Sequence, residues 1–498
     1  MPAAVLSFVL LVAHMLTNGQ YGYFRDELYL LACGDHLSWG FVDHAPFTPF
    51  VAKLTRSVLG DSLHAVRFPS ALASALLVLL TGFLTRELGG RFFAITLACL
   101  TVIFAPVYLV EGTLFSMNIL EPLFWMGCAY VLILALNRGN PKLLIWTGVL
   151  AGIGLENKHS MVFFASALVG GVLLSKDRKL LFTRWALFAA AIAFVLFLPN
   201  LIWQIQHHYP ELEALSNAKR QHKNIELSPP AFLAQQMLIM NPINVLVWIP
   251  GLWFLFRGAA GRYRSLAWTY VILLAMMMAM HGKDYYLAPA YPMLLAAGAV
   301  FWEQATQIRM RWLRYAVAAL VIVVGCIAAP LSMPILPVEA LIRYQNALGF
   351  HPPRTERGHR GKLPQYYGDM FGWPEMVEKI ASVYNALPPA DRQKAAIYTG
   401  NYGEAAAVDL LGGRYGLPKA ISAHETYSMW GPRDYTGEVI IVVGDHDSSS
   451  ARENCQSVDL GPQVGHPYAM AEENFQILTC RGLKTPLQEM WPALKHWN

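Results

Sequence analysis

Apolar runs recur along the first two thirds of the chain, and short polar turns separate them. A helix that crosses hydrocarbon needs about 20 apolar residues. By that measure eleven spans are expected, near residues 3–18, 68–86, 93–110, 119–136, 143–156, 159–175, 184–203, 231–256, 266–281, 286–303 and 315–333. The fifth and sixth are short, and "GLENKHS" between them carries Lys158, so that pair is expected not to reach fully across. The first run has no basic segment ahead of it and no small-residue cleavage site, so it reads as a retained membrane helix and not a signal peptide.

Two polar-to-amphipathic stretches interrupt this pattern. In residues 19–67, "LYLLACGDHLSWGF" and "FTPFVAKLTRSVLG" are amphipathic and rich in Trp, Phe and Leu, with Lys53 and Arg56 on the second. Helices of that kind lie in the interface plane of a membrane. Residues 204–230 are polar, with a basic cluster from Lys219 to Lys223, and suit a segment that closes over a lipid-facing cavity and orders only with substrate bound. From about residue 334 the pattern changes. Pro334, Pro337, Pro352, Pro353 and Pro364 mark a linker, after which "KAAIYTG" and "GEVIIVVGD" read as buried strands and "GEAAAVDLLGGRYG" as a helix closed by Gly. The expected organisation is a polytopic α-helical membrane domain over 1–333, with interfacial helices in its first outer loop, and a soluble α/β domain over 334–498.

Composition agrees. Hydrophobic residues make up 55% and charged residues 14% of the chain, against roughly 25% charged in soluble proteins. The net charge of +5 resides largely in turns: "TRELGGR", "NRGNPK", "SKDRKLLFTR", "RGAAGRYR" and "EQATQIRMRWLR" hold fourteen basic residues. Basic turns favour the cytoplasm, so the N-terminus is expected inside and the C-terminal domain outside, in the periplasm. A nucleic-acid partner is not expected. Cys33, Cys99, Cys128 and Cys326 lie in or beside apolar runs and read as packing residues. Cys455 and Cys480 fall in the polar part and are free to pair if it faces an oxidising space.

Four groups of residues are candidates for chemistry. Asp26 and Glu27 stand together just past the first span, followed by Asp43-His44-Ala45-Pro46-Phe47. "HGKDYYLAPAYP" brings Lys283, Asp284 and Tyr286 to the end of the ninth span, and "VEGTLFSMNILEPLFW" puts Glu111, Asn118 and Glu121 at the mouth of the third and fourth. Each has a plainer explanation: a solvated helix end, a turn cap, a snorkelling Lys or an aromatic belt. The basic-turn topology nevertheless assigns all four groups to one membrane face. A carboxylate in a partly desolvated cavity suits a general base, and adjacent helical positions point to different faces, so one of Asp26 and Glu27 would meet a substrate. A divalent metal near Glu111 and Glu121 stays open, with no ligand spacing that requires it.

"YFRDELYLLACGDHLSWGFVDHAPF", "GKDYYLAPAYPMLLAAGAV" and "NYGEAAAV…YGLPKAISAHETYSMWG" resemble bacterial members of glycosyltransferase family 39, which includes protein O-mannosyltransferases and the lipid A aminoarabinose transferase. The resemblance implies a GT-C fold in the bacterial inner membrane and an inverting transferase that uses a polyprenyl-monophosphate sugar. It implies Asp26 as the catalytic carboxylate, with Glu27 beside it. It also places Asp43 and His44 near the donor phosphate, where the aminoarabinose-transferase form has Lys in place of His44 and Pro in place of Ala45. Lys283, with Asp284 and Tyr286, is then the permanent cation, and Asn118 or Glu121 stands for a second-loop acid. The implied partners are the donor, a hydroxyl acceptor outside the cytoplasm (lipid, glycan or protein) and membrane lipids. A secondary transporter or flippase of an anionic or lipid-linked sugar is the rival, but it predicts ionisable groups at the midplane and an internal repeat, and no repeat is evident.

Overall fold

A computed structural model of the chain describes residues 2–223, 225–258, 261–308, 310–350, 361–444 and 448–497. It divides into two compact units. One holds Met1–Gln20, Leu59–Trp203 and Glu226–Arg343; the other holds Tyr21–Val58, Gln204–Ile225 and Tyr344–Asn498.

The first unit is helical, and each apolar run of the sequence carries at least one helix. Four helices are long and apolar enough to cross a bilayer alone: Leu63–Glu87, Met117–Arg138, Arg184–Gln206 and Arg311–Ser332. Two further runs, expected as single spans, are bent. The run at 93–110 turns by 62° between Phe92–Ile103 and Pro106–Thr113, and that at 231–256 turns by 105° between Pro229–Ile239 and Pro242–Arg257. The reason is local. Pro106 and Pro242 lack the N–H that continues a helix, and Asn241 adopts a left-handed φ of 69°. The second break supplies the first: Asn241 Nδ2 donates to the freed carbonyl of Phe104 at 3.1 Å, and also to Val321 O at 3.2 Å.

Packing inside this unit depends on small residues, as expected where helices meet in lipid. A Cβ on Gly298 would lie 1.9 Å from Val247 O, and one on Gly251 would lie 2.1 Å from Leu294 O. Val245–Arg257 and Tyr291–Ala305 therefore touch backbone to backbone, and the second is enclosed from Tyr291 to Val300. Arg184–Gln206 does the opposite: Leu187, Phe188, Phe194 and Val195 are exposed. Such an apolar surface is at home against lipid chains. This is a multi-pass membrane protein.

The second unit is built on a five-stranded mixed sheet: β1 Ala395–Thr399, β2 Ile421–Ser422, β3 Val439–Val443, β4 Cys455–Gln463 and β5 Gln476–Leu483, in the order β2-β1-β3-β5-β4. β1 runs parallel to β2 and β3, and β5 antiparallel to β3 and β4. Alternate residues feed two cores. Ile397, Ile441 and Ile477 face Trp373 and Ala405, whereas Ala396, Ile440 and Cys480 face Leu487 and Trp491. Burial on both faces explains why "VIIVV" lacks alternation. The expected strands and the helix Tyr402–Leu411 are present, and Gly416 closes the turn after it with φ 72°. Cys455 and Cys480 are joined in a disulfide.

Three expectations are corrected here. "LYLLACGDHLSWGF" does not supply a surface helix: Arg25–Asp35 buries Leu28, Tyr29, Ala32 and Cys33 in the core beside Trp373 and Ala405. Its aromatic and aliphatic side chains are covered by that core, and polar exposure remains only at the two ends, at Arg25, Asp26 and Asp35. Residues 204–230 contain a docked helix, Pro210–Arg220, held by Asn217 Nδ2 donating to Trp497 O at 2.7 Å and by a Lys495–Glu213 ion pair at 3.3 Å. The proline-marked linker carries the helix Val338–Ala347, while Pro352 and Pro353 lie outside the described residues. Phe47–Leu59 keeps an interfacial character: Phe50, Leu54 and Val58 form an exposed stripe, and Lys53 and Arg56 pair with Asp35.

Candidate functional site

Asp26 occupies the first turn of Arg25–Asp35, where free backbone N–H groups favour a carboxylate. It is half-buried, and its Oδ1 accepts the Tyr402 hydroxyl at 2.8 Å. Oδ2 has no hydrogen bond among the described residues. Glu27 faces the other way. It is fully buried, and its Oε2 accepts the N–H of Phe24 at 2.8 Å, which caps the helix. Of the adjacent pair, Asp26 alone keeps an open surface.

Arg25 braces this turn. Its guanidinium lies 3.6 Å from Asp369 Oδ2 and 5.6 Å from the centre of the Tyr402 ring. Tyr402–Leu411 can approach only because residue 403 is glycine, since a Cβ there would lie 2.4 Å from Arg25 Cγ. Behind Arg25, Glu404 accepts the N–H groups of Gly400 and Asn401 at 2.9 and 3.2 Å. Burial pushes the Glu404 carboxyl up to about 7, against the pull of those bonds and of Arg25. Burial, and next the Glu404 charge, push Glu473 well above the ordinary range. Burial likewise keeps the Tyr402 phenol protonated, far above its usual value.

Asp43 and His44 lie in the same unit, tied to the same aromatic group. Tyr29 donates to Asp43 Oδ1 at 2.8 Å, and its ring is 4.5 Å from that of Tyr402. A hydroxyl has one proton to give, so the Thr426 hydroxyl, 2.7 Å away, donates to Tyr29. Surrounding protein raises the Asp43 carboxyl, although the third of its side chain that stays open limits the rise. His44 is 4% exposed. Its Nδ1 lies 3.1 Å from Ala45 O and its Nε2 lies 3.9 Å from Asp43 Oδ1. The ring meets Asp43, Tyr29 and Phe41 rather than open space.

In the helical unit, Asn118, Glu121 and Tyr286 gather on a cation outside the predicted set. Lys158 Nζ donates to Asn118 Oδ1 at 3.0 Å and Glu121 Oε2 at 2.9 Å, and stands 4.6 Å from the centre of the Tyr286 ring. Ser160 donates to the other oxygen of Glu121. Lys158 sits in the break between Leu144–Asn157 and Met161–Leu173, where a charged residue in an apolar window was the available signal. Lys283 and Asp284 are half-buried at the start of the turn Asp284–Ala290, and Asp284 O accepts Gln236 Nε2 at 2.8 Å. Tyr402 and Arg25 lie inside the quoted motifs, but nothing there marked them as partners of the Asp26 turn. Among the described residues no three His, Cys, Asp or Glu side chains are grouped as a metal site needs, and both Glu121 oxygens are hydrogen-bonded.

Residues 43–203 match the family described as dolichyl-phosphate-mannose-protein mannosyltransferase. The lipid A galacturonosyltransferase RgtD of Rhizobium johnstonii is 25% identical over 306 residues, which cover 56% of this chain and 60% of that relative's length. ArnT from Cupriavidus metallidurans has the same fold at 13% identity: TM-score 0.61 in its apo state and 0.63 bound to undecaprenyl phosphate, covering 95% of this chain and 97% of ArnT in each case. The chain is thus a multi-pass membrane protein with the ArnT-like GT-C fold, and the resemblance of its motifs to glycosyltransferase family 39 is borne out.

Proposed function

We propose that the chain is an inverting membrane glycosyltransferase that moves a sugar from a polyprenyl-monophosphate donor to a hydroxyl of a lipid outside the cytoplasm. The observation that carries this is Asp26: half-open, in the first helix past the first apolar run, with Oδ1 held and Oδ2 unengaged. Asp26 takes the proton of the acceptor hydroxyl as that oxygen attacks the anomeric carbon. The bond from that carbon to the phosphate oxygen breaks on the opposite face, and its electron pair leaves with polyprenyl phosphate. One displacement inverts the carbon, and the phosphate leaves without protonation by a second carboxylic acid, unlike an ordinary glycoside. Its charge calls for cations. The motif resemblance offers Lys283 for that role and, less favourably because its ring is enclosed, His44.

The donor and acceptor classes draw support from the relatives. One is a lipid A galacturonosyltransferase by name, and the other binds undecaprenyl phosphate. Basic turns support an N-terminus in the cytoplasm, with as many as eleven membrane-entering segments before residue 334. A disulfide between Cys455 and Cys480 suits a C-terminal region in an oxidising space such as the periplasm.

Purified protein in lipid nanodiscs, given polyprenyl-phosphate sugars and a lipid A acceptor, tests the proposal by mass spectrometry of the lipid product. Asp26→Asn is expected to lower transfer by about 10²–10⁴-fold while polyprenyl phosphate still binds. Undiminished transfer by that variant would refute the assignment.

A further inference from the structure

Beyond the base itself, the C-terminal segment contributes a residue to its carboxylate. We propose that Tyr402 is a positioning residue for transfer, its phenol O–H fixing Oδ1 of Asp26 so that Oδ2 meets the acceptor hydroxyl. This rests on Asp26 acting as the base.

The Tyr402 hydroxyl is held from three sides. Its backbone is set by the helix start, where Asn401 Oδ1 accepts the Glu404 N–H at 3.0 Å. The Tyr402 N–H donates to His424 Nδ1 at 3.3 Å. That nitrogen is therefore an acceptor, which in neutral imidazole leaves the proton on Nε2, 3.4 Å from Glu425 Oε1. The ring packs against those of Tyr29 at 4.5 Å and His424 at 5.1 Å, tilted 30° from each, with the Arg25 guanidinium over it at 5.6 Å. A phenol packed in this way has little freedom in where its O–H points, and the acceptor it meets is Asp26 Oδ1 at 2.8 Å.

The consequence for a general base is orientation. A carboxylate on a half-open helix turn rotates freely about its last bond, and each rotation exchanges the two oxygens. A donor fixed on Oδ1 stops that exchange and dedicates Oδ2 to the incoming proton, which is positioning of the kind that shapes transition-state geometry. Besides Tyr402, the charged groups that bear on Asp26 are Arg25 on its own helix and Asp43. Neither is altered by a change confined to the phenol oxygen.

Two changes at residue 402 test this. Tyr402→Phe keeps the ring and its stacking. It is expected to lower kcat about tenfold with the KM for donor unchanged. Incorporation of 3,5-difluorotyrosine at Tyr402 keeps both the ring and the O–H donor and is expected to retain the wild-type kcat. A residue that merely ties two segments together would lower the unfolding midpoint and leave kcat unmoved, and a wild-type kcat in Tyr402→Phe would overturn the proposal. A raised donor KM at unchanged kcat would overturn it too. Asp26→Asn, assayed alongside, separates the two ideas. If it transfers normally the base assignment fails. If it is inactive while Tyr402→Phe keeps the wild-type kcat and KM, the positioning role alone fails.

Discussion

Replacing Lys158 with methionine should expose how the helical unit tolerates its internal charges. The ammonium is the shared partner of Glu121 Oε2 at 2.9 Å, Asn118 Oδ1 at 3.0 Å and the Tyr286 ring at 4.6 Å. Glu121 keeps 4% of its side chain open and Lys158 18%. In Lys158→Met the carboxylate retains only the Ser160 hydroxyl. Removing one member of a buried pair costs about 3–5 kcal/mol, and the partial exposure of Lys158 brings the expectation to about 2–3 kcal/mol. Glu121→Gln should cost less, about 1–2 kcal/mol, because the amide keeps the Ser160 contact and Lys158 keeps Asn118 and Tyr286. The double variant buries no charge at all, so it should be more stable than Lys158→Met alone. Tryptophan fluorescence during thermal unfolding in detergent gives the order of midpoints: wild type highest, Lys158→Met lowest, the double variant between them. A double variant that melts below Lys158→Met by the full cost of Glu121→Gln would mean the two sites are independent and the argument is wrong.

Two further expectations concern the α/β unit. Glu404 has its folded value raised from 4.5 to about 7, so the native state holds a proton that the unfolded chain releases. The associated stability is fully present below about pH 4.5 and is lost as pH rises through 7, by at most roughly 3 kcal/mol. Unfolding midpoints between pH 5 and 8 should therefore slope downward, and Glu404→Gln should flatten most of that slope, leaving a remainder from Glu473; parallel slopes would refute it. Gly403→Ala places a Cβ 2.4 Å from Arg25 Cγ, and such overpacking costs about 1–3 kcal/mol. Because the displaced residue precedes Asp26, transfer should fall along with the unfolding midpoint, and a variant with wild-type values of both would show that the helices separate without consequence.

Much of the architecture was legible in the chain because its signals are local. Apolar length marks each helix-bearing run, and "AAIYT" and "VIIVV" between glycine turns mark β1 and β3. Asp26 was legible from its place after a greasy segment, and the two cysteines from their separation from the others. What stayed hidden depends on distant partners. Arg25–Asp35 reads as amphipathic until the core residues Trp373 and Ala405 cover its other side. The break at Asn241 is stabilised by carbonyls 137 and 80 residues away. Lys158 looked like an awkward charge in a short span because Glu121 and Tyr286, which neutralise and cover it, come from other helices. Tyr402 lies within the motif "NYGEAAAV", but an aromatic at a helix start gives no hint of its acceptor.

The hydrogen bond from Tyr402 to Asp26 joins residues 376 positions apart. During synthesis, the segment bearing Asp26 leaves the ribosome long before the helix that must support it. At roughly 5–20 residues per second, it waits tens of seconds for its counterpart, exposing Leu28, Tyr29 and Cys33 in the meantime. A chain that ends before Tyr402 therefore lacks the group that holds Asp26, and its apolar helix stays without the core that covers it.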